Sequence, residues 1–292
     1  MLNLSEKRIY ECGDRFSVNT VGKEKGKMIF IKDRKIVIFV PRKLVRDELE
    51  NNKIRPGILL AYCWLIRFGT IDGYSSDSLL NISKKMGLHY NKAKDRHIPN
   101  LMKLFKDGLK YLAANDILSI EGDINNFEET LKFKIDVWVE KGESYIPLDL
   151  NYFEYVLNFK GKAHKANLLY VLLYVLSCYT YIDGKTYCAC SYSTIKMSND
   201  LGINRVTLFN YLSYLSRDTE TVNDKPLKKS APIHITLDNG QVIRLPNIYV
   251  INNNNADMIL RYQKKFIISS FKTHQSADSE DFSRMVDYDD LF

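Results

Sequence analysis

The sequence lacks the residue groupings that most catalytic and metal sites need. Its five histidines are scattered, with no His-x-His or His-hydrophobic-His nuclease pair. The Cys188-Ala-Cys190 pair has no second Cys/His pair at zinc-site spacing. In GKEKGKM (22–28), Met28 stands where a phosphate loop requires Ser or Thr. We therefore predict a protein that is not an enzyme and that holds no metal or cofactor. With 19 tyrosines present, DNA nicking at a tyrosine stays an open alternative.

A long membrane-spanning run and a secretory signal are also lacking. The N-terminus is polar and charged. The longest charge-free apolar run, Ala166 to Ile182, has 17 residues, near the lower limit for a membrane span. We interpret it as a buried helix because its counterpart, described below, contains Arg67. The sequence has five cysteines, an odd number. Cys63 and Cys178 lie in apolar helical runs, where a reduced thiol packs like a small hydrophobic side chain. These features predict a cytoplasmic protein without a membrane segment.

Positive charge is in excess and unevenly distributed. The 292 residues carry a formal net charge of +7. Residues 274–292 contain six acids and one base, which leaves residues 1–273 with a net charge of +12. A body this basic favours a polyanionic partner, and a solvated lysine-rich surface is the alternative. The length is sufficient for two globular domains.

Two segments of the chain follow one plan. Residues 57–73 and 166–184 are apolar and end in Ile-Asp-Gly, so we expect each to be a helix that stops at its glycine. Aligning Met86-Gly87-Leu88 with Leu201-Gly202-Ile203 matches the apolar positions that precede the turns. The first copy then carries about five extra residues after the turn. Duplication is our interpretation, and shared amphipathicity is the alternative.

Strand patterns follow both helical segments. Residues 117–123 and 131–141 alternate apolar and polar side chains, and Asn239-Gly240 lies between two β-rich runs. Three helices followed by a hairpin is the winged-helix arrangement. Ahead of the first copy, residues 28–41 predict a hairpin that ends at Pro41.

The predicted fold class is α+β, mainly α, with two winged-helix domains in tandem and a flexible acidic C-terminal tail. The predicted boundaries are an N-terminal β-hairpin extension (1–45), a first winged-helix domain (46–141), a linker with a short helix (142–165), a second winged-helix domain (166–252), an amphipathic helix (253–273) and an acidic disordered tail (274–292). The end of the linker, KGKAHK (160–165), is expected to be a solvated basic approach to the next helix.

Residues 193–215, STIKMSNDLGINRVTLFNYLSYL, match a helix-turn-helix pattern. Ser193 is a good cap for the first helix, Gly202 permits a sharp turn, and Asn204 is a good cap for the second helix. The residues spaced to face the core are Leu208, Tyr211, Leu212 and Leu215.

The opposite face of the second helix carries side chains that suit base edges, since arginine pairs with guanine and asparagine with adenine. The predicted DNA contacts on this face are Arg205, Thr207, Asn210 and Ser213. A winged helix used for protein contact is the alternative.

Other basic residues suit phosphates. Pro99 predicts that the second helix of the first copy starts near Ile98, after a basic connection. The predicted contacts are Lys92, Lys94, Arg96 and Lys103 in the first copy, and Lys228, Lys229 and Arg244 around the second hairpin.

The acidic C-terminal segment has three interpretations. It is a solvated disordered end, or it inhibits the protein by competing with DNA for the basic body, or it anchors a basic partner. In the third interpretation Asp289 and Asp290 orient the segment while Leu291 and Phe292 fill a pocket. The final Asp-Leu-Phe partly resembles the bacterial sliding-clamp-binding pentapeptide and the acidic tip of single-stranded-DNA-binding proteins.

The layout resembles the tandem winged-helix replication initiators and replisome organisers of Gram-positive plasmids, phages and integrative elements. The resemblance spans about residues 35–250 and is carried by FVPRKLV (39–45), the endings TIDG and YIDG, and residues 193–215. It implies sequence-specific binding of double-stranded DNA at repeated origin sites. It also implies recruitment of replication machinery, such as a sliding clamp, a single-stranded-DNA-binding protein or a helicase loader. A homodimer is a further expectation. The alternatives are a winged-helix transcriptional regulator and a helicase loader or adaptor.

Overall fold

The structure is a computed structural model that describes residues 28–30, 36–47, 52–70, 73–88, 100–135, 144–161, 164–217, 225–236 and 240–276. The described chain divides into two compact units, with the boundary between Tyr174 and Val175. Both units mix helices with small, mostly antiparallel sheets, and helices contain more of the described residues than strands. The expectation of a mixed helix-and-sheet architecture is confirmed at this level.

Unit 1 contains two three-stranded antiparallel sheets and several helices. Its helices are α1 (Lys43–Arg46), α2 (Arg55–Phe68), α3 (Leu79–Lys85), α4 (Asn100–Ala114), α5 (Leu150–Leu157) and most of α6 (Lys165–Leu176). Its strands are β1 (Met28–Phe30), β2 (Ile36–Pro41), β3 (Tyr74–Ser78), β4 (Leu118–Glu121), β5 (Thr130–Ile135) and β6 (Tyr145–Asp149). The sheet orders are β1-β2-β6 and β3-β5-β4. β1 pairs with β2, which ends at Pro41 as predicted, and α5 is the short helix predicted within residues 142–165.

The centre of unit 1 is the crossing of α2 and α4. Residues 55–66 of α2 are all buried, which the apolar sequence of this helix requires. The two helices approach closely at two glycines, since a Cβ atom at Gly108 would overlap the backbone carbonyl of Gly57. A Cβ atom at Gly57 would likewise overlap the backbone carbonyl of Leu104. Only glycine allows this backbone-to-backbone contact.

Unit 2 begins within the last turn of α6 and consists of helices around a five-stranded sheet. Its helices are α7 (Thr194–Leu201), α8 (Arg205–Leu215) and α9 (Ala256–Ser276). Its strands are β7 (Tyr179–Ile182), β8 (Lys185–Cys190), β9 (Ser216–Arg217), β10 (Leu227–Lys229), β11 (Ile233–Thr236), β12 (Val242–Leu245) and β13 (Tyr249–Ile251). The sheet order is β7-β8-β13-β10-β9, and β11 pairs with β12 in a separate hairpin.

The two Ile-Asp-Gly sequences do not stop helices, contrary to our expectation. α2 ends at Phe68 and α6 at Leu176, so the apolar run 166–182 is divided between a helix and β7. In unit 2, Asp183 (φ 50°) and Gly184 (φ 80°) form the two-residue turn between β7 and β8. Two successive residues with positive φ suit the twist of a tight hairpin, which explains the Asp-Gly pair. None of the helices among the described residues has the length and apolar character to cross a membrane.

Lys165 is not part of a solvated basic approach, which corrects a second expectation. Its Nζ donates to the backbone oxygens of Leu157 (2.5 Å) and Met86 (2.9 Å), at the ends of α5 and α3. Burial lowers the pKa of the Lys165 ammonium group. A lysine at two helix C-termini satisfies carbonyls that have no partner within their own helices.

The sheet of unit 2 packs against α9 and the β11–β12 hairpin. Buried residues of this second core come from β8, from the hairpin and from one side of α9, and they include Tyr187, Ile235, Ile243, Ile259 and Phe271. β11 and β12 are paired from Ile233 with Leu245 to Thr236 with Val242. The hairpin strands that the sequence predicts on either side of the Asn-Gly pair are therefore present.

Candidate nucleic-acid interface

The first of the two helices ends with the same backbone geometry in both units. Gly87 follows α3 with a φ of 74°, and Gly202 follows α7 with a φ of 63°. The next residue bonds back to the equivalent serine in each case: Leu88 N donates to Ser83 O (2.9 Å), and Ile203 N donates to Ser198 O (3.2 Å). This pattern ends a helix with a left-handed glycine and redirects the chain. The sequence alignment of the two turns thus corresponds to matching structure.

In unit 2, α7 and α8 each begin with the side-chain cap that the sequence predicts. The Ser193 hydroxyl accepts from Lys196 N (3.1 Å) at the start of α7. The Asn204 side chain accepts from Val206 N (2.9 Å) at the start of α8. All four predicted core residues of α8 are buried, namely Leu208, Tyr211, Leu212 and Leu215. Because one side of α8 is anchored in this way, its opposite side is held in a fixed orientation.

The outer face of α8 combines hydrogen-bonding and apolar side chains. The predicted contacts Arg205, Thr207, Asn210 and Ser213 are all exposed. Between them lie Val206, 70% exposed, and Phe209, 50% exposed. The Ser213 hydroxyl donates to Phe209 O (2.9 Å), so its proton is already engaged with the helix backbone. We define the α8 outer face as Arg205, Val206, Thr207, Phe209, Asn210 and Ser213.

The β11–β12 hairpin offers a second exposed surface in unit 2. Its cross-strand pairs are His234 with Arg244 and Thr236 with Val242, and all four side chains are exposed. Their neighbours Ile235 and Ile243 point to the buried side, as strand alternation requires. The predicted contact Arg244 is therefore accessible. His234 and Val242 share its face and were missed by sequence reasoning, although the alternation of the strand gives their direction.

Lys228 does not belong to an exposed basic surface, contrary to the prediction. Its side chain is only 10% exposed, and its Nζ lies 2.7 Å from the Asp257 carboxylate at the start of α9. This ion pair connects β10 to α9. Lys229, the next residue, is partly exposed. Lys225 caps the end of α8, since its Nζ donates to the backbone oxygens of Ser213 (2.8 Å) and Ser216 (3.0 Å).

In unit 1 the outer face of α4 is rich in lysine. The predicted contact Lys103 is exposed, and so is Lys110, two helical turns further along. Lys106, between them, donates from Nζ to the Asn125 side chain (2.8 Å) in the β4–β5 loop. Lys106 and Lys110 were missed, although their spacing from Lys103 by three and seven residues is visible in the sequence. The predicted contacts Lys92, Lys94 and Arg96 lie outside the described residues.

The loop that follows α4 and β4 in unit 1 is acidic. Asp123, Glu128 and Glu129 lie between β4 and β5, at the position in chain order that the β11–β12 hairpin occupies in unit 2. The Glu129 carboxylate accepts from Asp123 N (3.1 Å), which holds the loop closed. A phosphate backbone would be repelled by this loop.

The described residues contain no group of three or more His, Cys, Asp and Glu side chains that could hold a metal ion. Comparisons with protein-family models, with curated proteins and with solved structures gave no match. The predicted partner-binding residues Asp289, Asp290, Leu291 and Phe292 lie outside the described residues.

Proposed function

We propose that this protein is a sequence-specific, non-enzymatic binder of double-stranded DNA, and that both units are winged-helix domains. The order of elements supports this proposal. In unit 1, β3 precedes α3 and α4, and the sheet order β3-β5-β4 places the last strand in the middle. In unit 2, β8 precedes α7 and α8, and the order β8-β13-β10 again places the last strand in the middle.

The observation that carries the proposal is the α8 outer face. It presents Arg205 and Asn210, the side-chain types that pair bidentately with guanine and adenine, on a helix whose other side is fully anchored. Arg205 stands in the first turn of α8, and the N-terminal residues of a recognition helix are those that reach the base edges. The Thr207 methyl group and Val206 can meet thymine methyl groups. In this arrangement α8 lies in the major groove and Arg244 contacts the flanking backbone.

In this proposal, unit 1 contributes positive charges that bind DNA phosphates. Lys103 and Lys110 on α4 are point charges that suit phosphates better than base edges. A unit that holds phosphates strengthens binding to every duplex, while unit 2 selects the sequence. The basic residues Lys92, Lys94 and Arg96 would add to this contribution.

The cellular role we propose is the initiation or organisation of replication of a mobile element, with the C-terminal segment recruiting a replication protein. It depends on the resemblance described above and on the basic body of residues 1–273. A plasmid that carries the element's origin should lose its normal copy number in cells without the protein. An unchanged copy number would exclude this role and favour a transcriptional regulator.

The DNA-binding proposal is tested by selecting bound duplexes from a random library and measuring their affinity. We expect a preferred site, and Arg205→Ala with Asn210→Ala should reduce discrimination by about 1–3 kcal/mol for each base that is no longer recognised. The matched control is Arg261→Ala with Asn254→Ala, which removes the same side-chain types from exposed positions elsewhere in unit 2. Equal behaviour of the two double variants would exclude base recognition by α8.

A second candidate function is favoured by the exposed apolar residues of the same face. Val206 and Phe209 are the kind of side chains that anchor protein interfaces. An adaptor or helicase loader would use them to bind a protein, and Phe209→Ser would then abolish that complex. If Phe209→Ser lowers duplex affinity as much as Arg205→Ala, the face serves DNA.

A further inference from the structure

The helix α9 carries a stripe of exposed apolar residues that are not part of the buried core of unit 2. Met258, Tyr262 and Phe266 recur every four residues and are 38%, 39% and 57% exposed. Residues four apart on a helix are neighbours, so the three side chains form one continuous strip. We define these three residues as the α9 outer stripe.

The stripe residues differ from those that fix α9 in place. Ala256, Ile259, Leu260 and Phe271 belong to the buried core of unit 2, and Gln263 is buried and donates from Nε2 to the Thr180 hydroxyl. A surface helix with one anchored side normally presents polar residues on the other. Exposed apolar residues in addition to the buried ones therefore indicate a surface that binds something.

Basic residues line one edge of the stripe. Arg261 and Lys265 are exposed, and in a helix they project next to Met258 and Tyr262. Lys264 is exposed further round the helix. Arg261 Nε donates to Asp257 O (3.3 Å), one helical turn before it. An apolar strip beside a row of cations fits a ligand that is both apolar and acidic.

We propose that the C-terminal segment of the same chain, residues 277–292, docks on the α9 outer stripe. Its composition is complementary, because it contains six acids and one base. The acids are interspersed with Phe282, Met285, Val286, Leu291 and Phe292, which supply apolar groups for the stripe. The inference is independent of DNA binding.

The segment follows α9 directly in the chain, and this tether makes the docking favourable. α9 ends at Ser276, directly before the segment. The distance back to Met258 is about 27 Å at the helical rise of 1.5 Å per residue. An extended segment of 16 residues spans about 50 Å, so it reaches the whole stripe. A tethered ligand also has an effective concentration in about the millimolar range.

A second copy of α9 is a poorer occupant of the stripe. In an antiparallel pair of identical helices, the cations Arg261 and Lys265 of one copy would approach those of the other. Like charges at a contact are destabilising, whereas the acids of the segment neutralise the same cations. A partner that binds Leu291 and Phe292 would have to displace them from α9.

The proposal is tested in the full chain by photo-crosslinking from the stripe. Phe266→p-benzoylphenylalanine places a photoreactive group at its most exposed position. After irradiation and trypsin digestion, we expect crosslinks to the peptide 285–292 in the monomeric product. Crosslinks that occur only in a dimeric product would overturn the proposal, and so would a monomer without crosslinks to residues 277–292.

A matched pair of substitutions tests whether the stripe itself holds the segment. In the chain with the photoreactive group, Tyr262→Ser should lower the crosslink yield about fivefold, because burial of an aromatic ring contributes more than 1 kcal/mol. Val242→Ser is the control, since Val242 is as exposed as Phe266 (57%) and lies on the hairpin. Equal yields in the two variants would show that the stripe does not bind the segment.

Discussion

The helix that follows the turn is held differently in the two units. In unit 1, α4 touches α2 backbone to backbone at Gly57 and Gly108. In unit 2, α8 starts three residues after Gly202 and is anchored by large side chains, including Leu208 and Tyr211. A backbone contact depends on the absence of two Cβ atoms, whereas a side-chain contact depends on shape and apolar area. The same order of elements is thus stabilised by two kinds of packing.

The exposed faces of these two helices also differ. α4 presents lysines beside an acidic loop, and α8 presents Arg205 and Asn210 in the same unit as a hairpin that carries Arg244. Lysine is a point charge with little geometric selectivity, while arginine and asparagine form paired hydrogen bonds of fixed direction. Because of this difference, we assign phosphate binding to unit 1 and base recognition to unit 2. Three changes test these differences, and a fourth tests a partly buried histidine of unit 1.

The largest effect is expected for Gly108→Ala. The new Cβ atom would overlap the Gly57 carbonyl, and we expect a loss of about 3 kcal/mol in unfolding free energy, the upper end of overpacking costs. This loss should occur although alanine raises helix propensity by about 1 kcal/mol. Denaturant titration followed by tryptophan fluorescence measures it, since Trp64 is buried in unit 1 and packs edge-on against Phe105 of α4. Lys110→Ala on the same helix is the control, and equal stability of the two variants would refute the backbone contact.

A smaller loss is expected for Gly202→Ala in unit 2. No atom lies within 4 Å of a Cβ at this position, so only the φ of 63° opposes a side chain. Left-handed backbone costs an L-residue about 1–2 kcal/mol. Gly202→Asn should lose less, because asparagine tolerates this conformation better. Thermal unfolding by circular dichroism distinguishes the two, and a lower melting temperature for the asparagine variant would indicate a steric cause instead.

The two exposed faces should differ in their response to salt. Lys103→Ala with Lys110→Ala should lower affinity for all duplexes alike and reduce the log–log salt slope by about 0.9 for each phosphate that the protein no longer neutralises. Arg205→Ala should instead lower the affinity for the preferred site more than for random DNA. Fluorescence anisotropy at several salt concentrations measures both. Loss of site preference in the lysine variant would contradict the division between the units.

The smallest effect concerns His164, before α6 in unit 1. Burial lowers the pKa of its imidazole, so the unfolded chain takes up a proton more readily. The stabilising contribution is therefore present above the ordinary pKa of 6.5 and is lost as the pH falls below it. Denaturant titrations at pH 7.5 and 5.5 should show a larger loss in the wild type than in His164→Gln. An equal loss in both proteins would assign the pH dependence to other groups.

Local features of the sequence predicted much of unit 2. The caps Ser193 and Asn204, the left-handed Gly202 and the buried positions of α8 follow from spacing and from backbone preference, which neighbouring residues determine. The exposure of Arg244 likewise agrees with the alternation of exposed and buried positions along β12. These properties depend on contacts within a few residues, so they can be derived without knowledge of the fold.

Contacts between distant residues were not predictable in this way. The residues next to Lys228 and Lys165 in the sequence do not indicate their partners. Lys228 pairs with Asp257. Lys165 donates to the backbone oxygens of Leu157 and Met86. The Gly57–Gly108 contact joins positions whose glycines carry no local signal, because both lie inside helices. The Asp183-Gly184 pair was misassigned, since such a pair fits a helix end and a hairpin turn equally well.

The sequence by itself determined the helix-turn-helix of unit 2, the hairpin after it and the excess of positive charge, because periodicity, capping and composition are local or additive properties. The tertiary structure alone decided which lysines remain exposed, where the two glycine backbones meet, and that α9 exposes apolar residues beyond those that it buries. These depend on which elements pack together, and packing is fixed by surfaces that the chain brings together only when it folds.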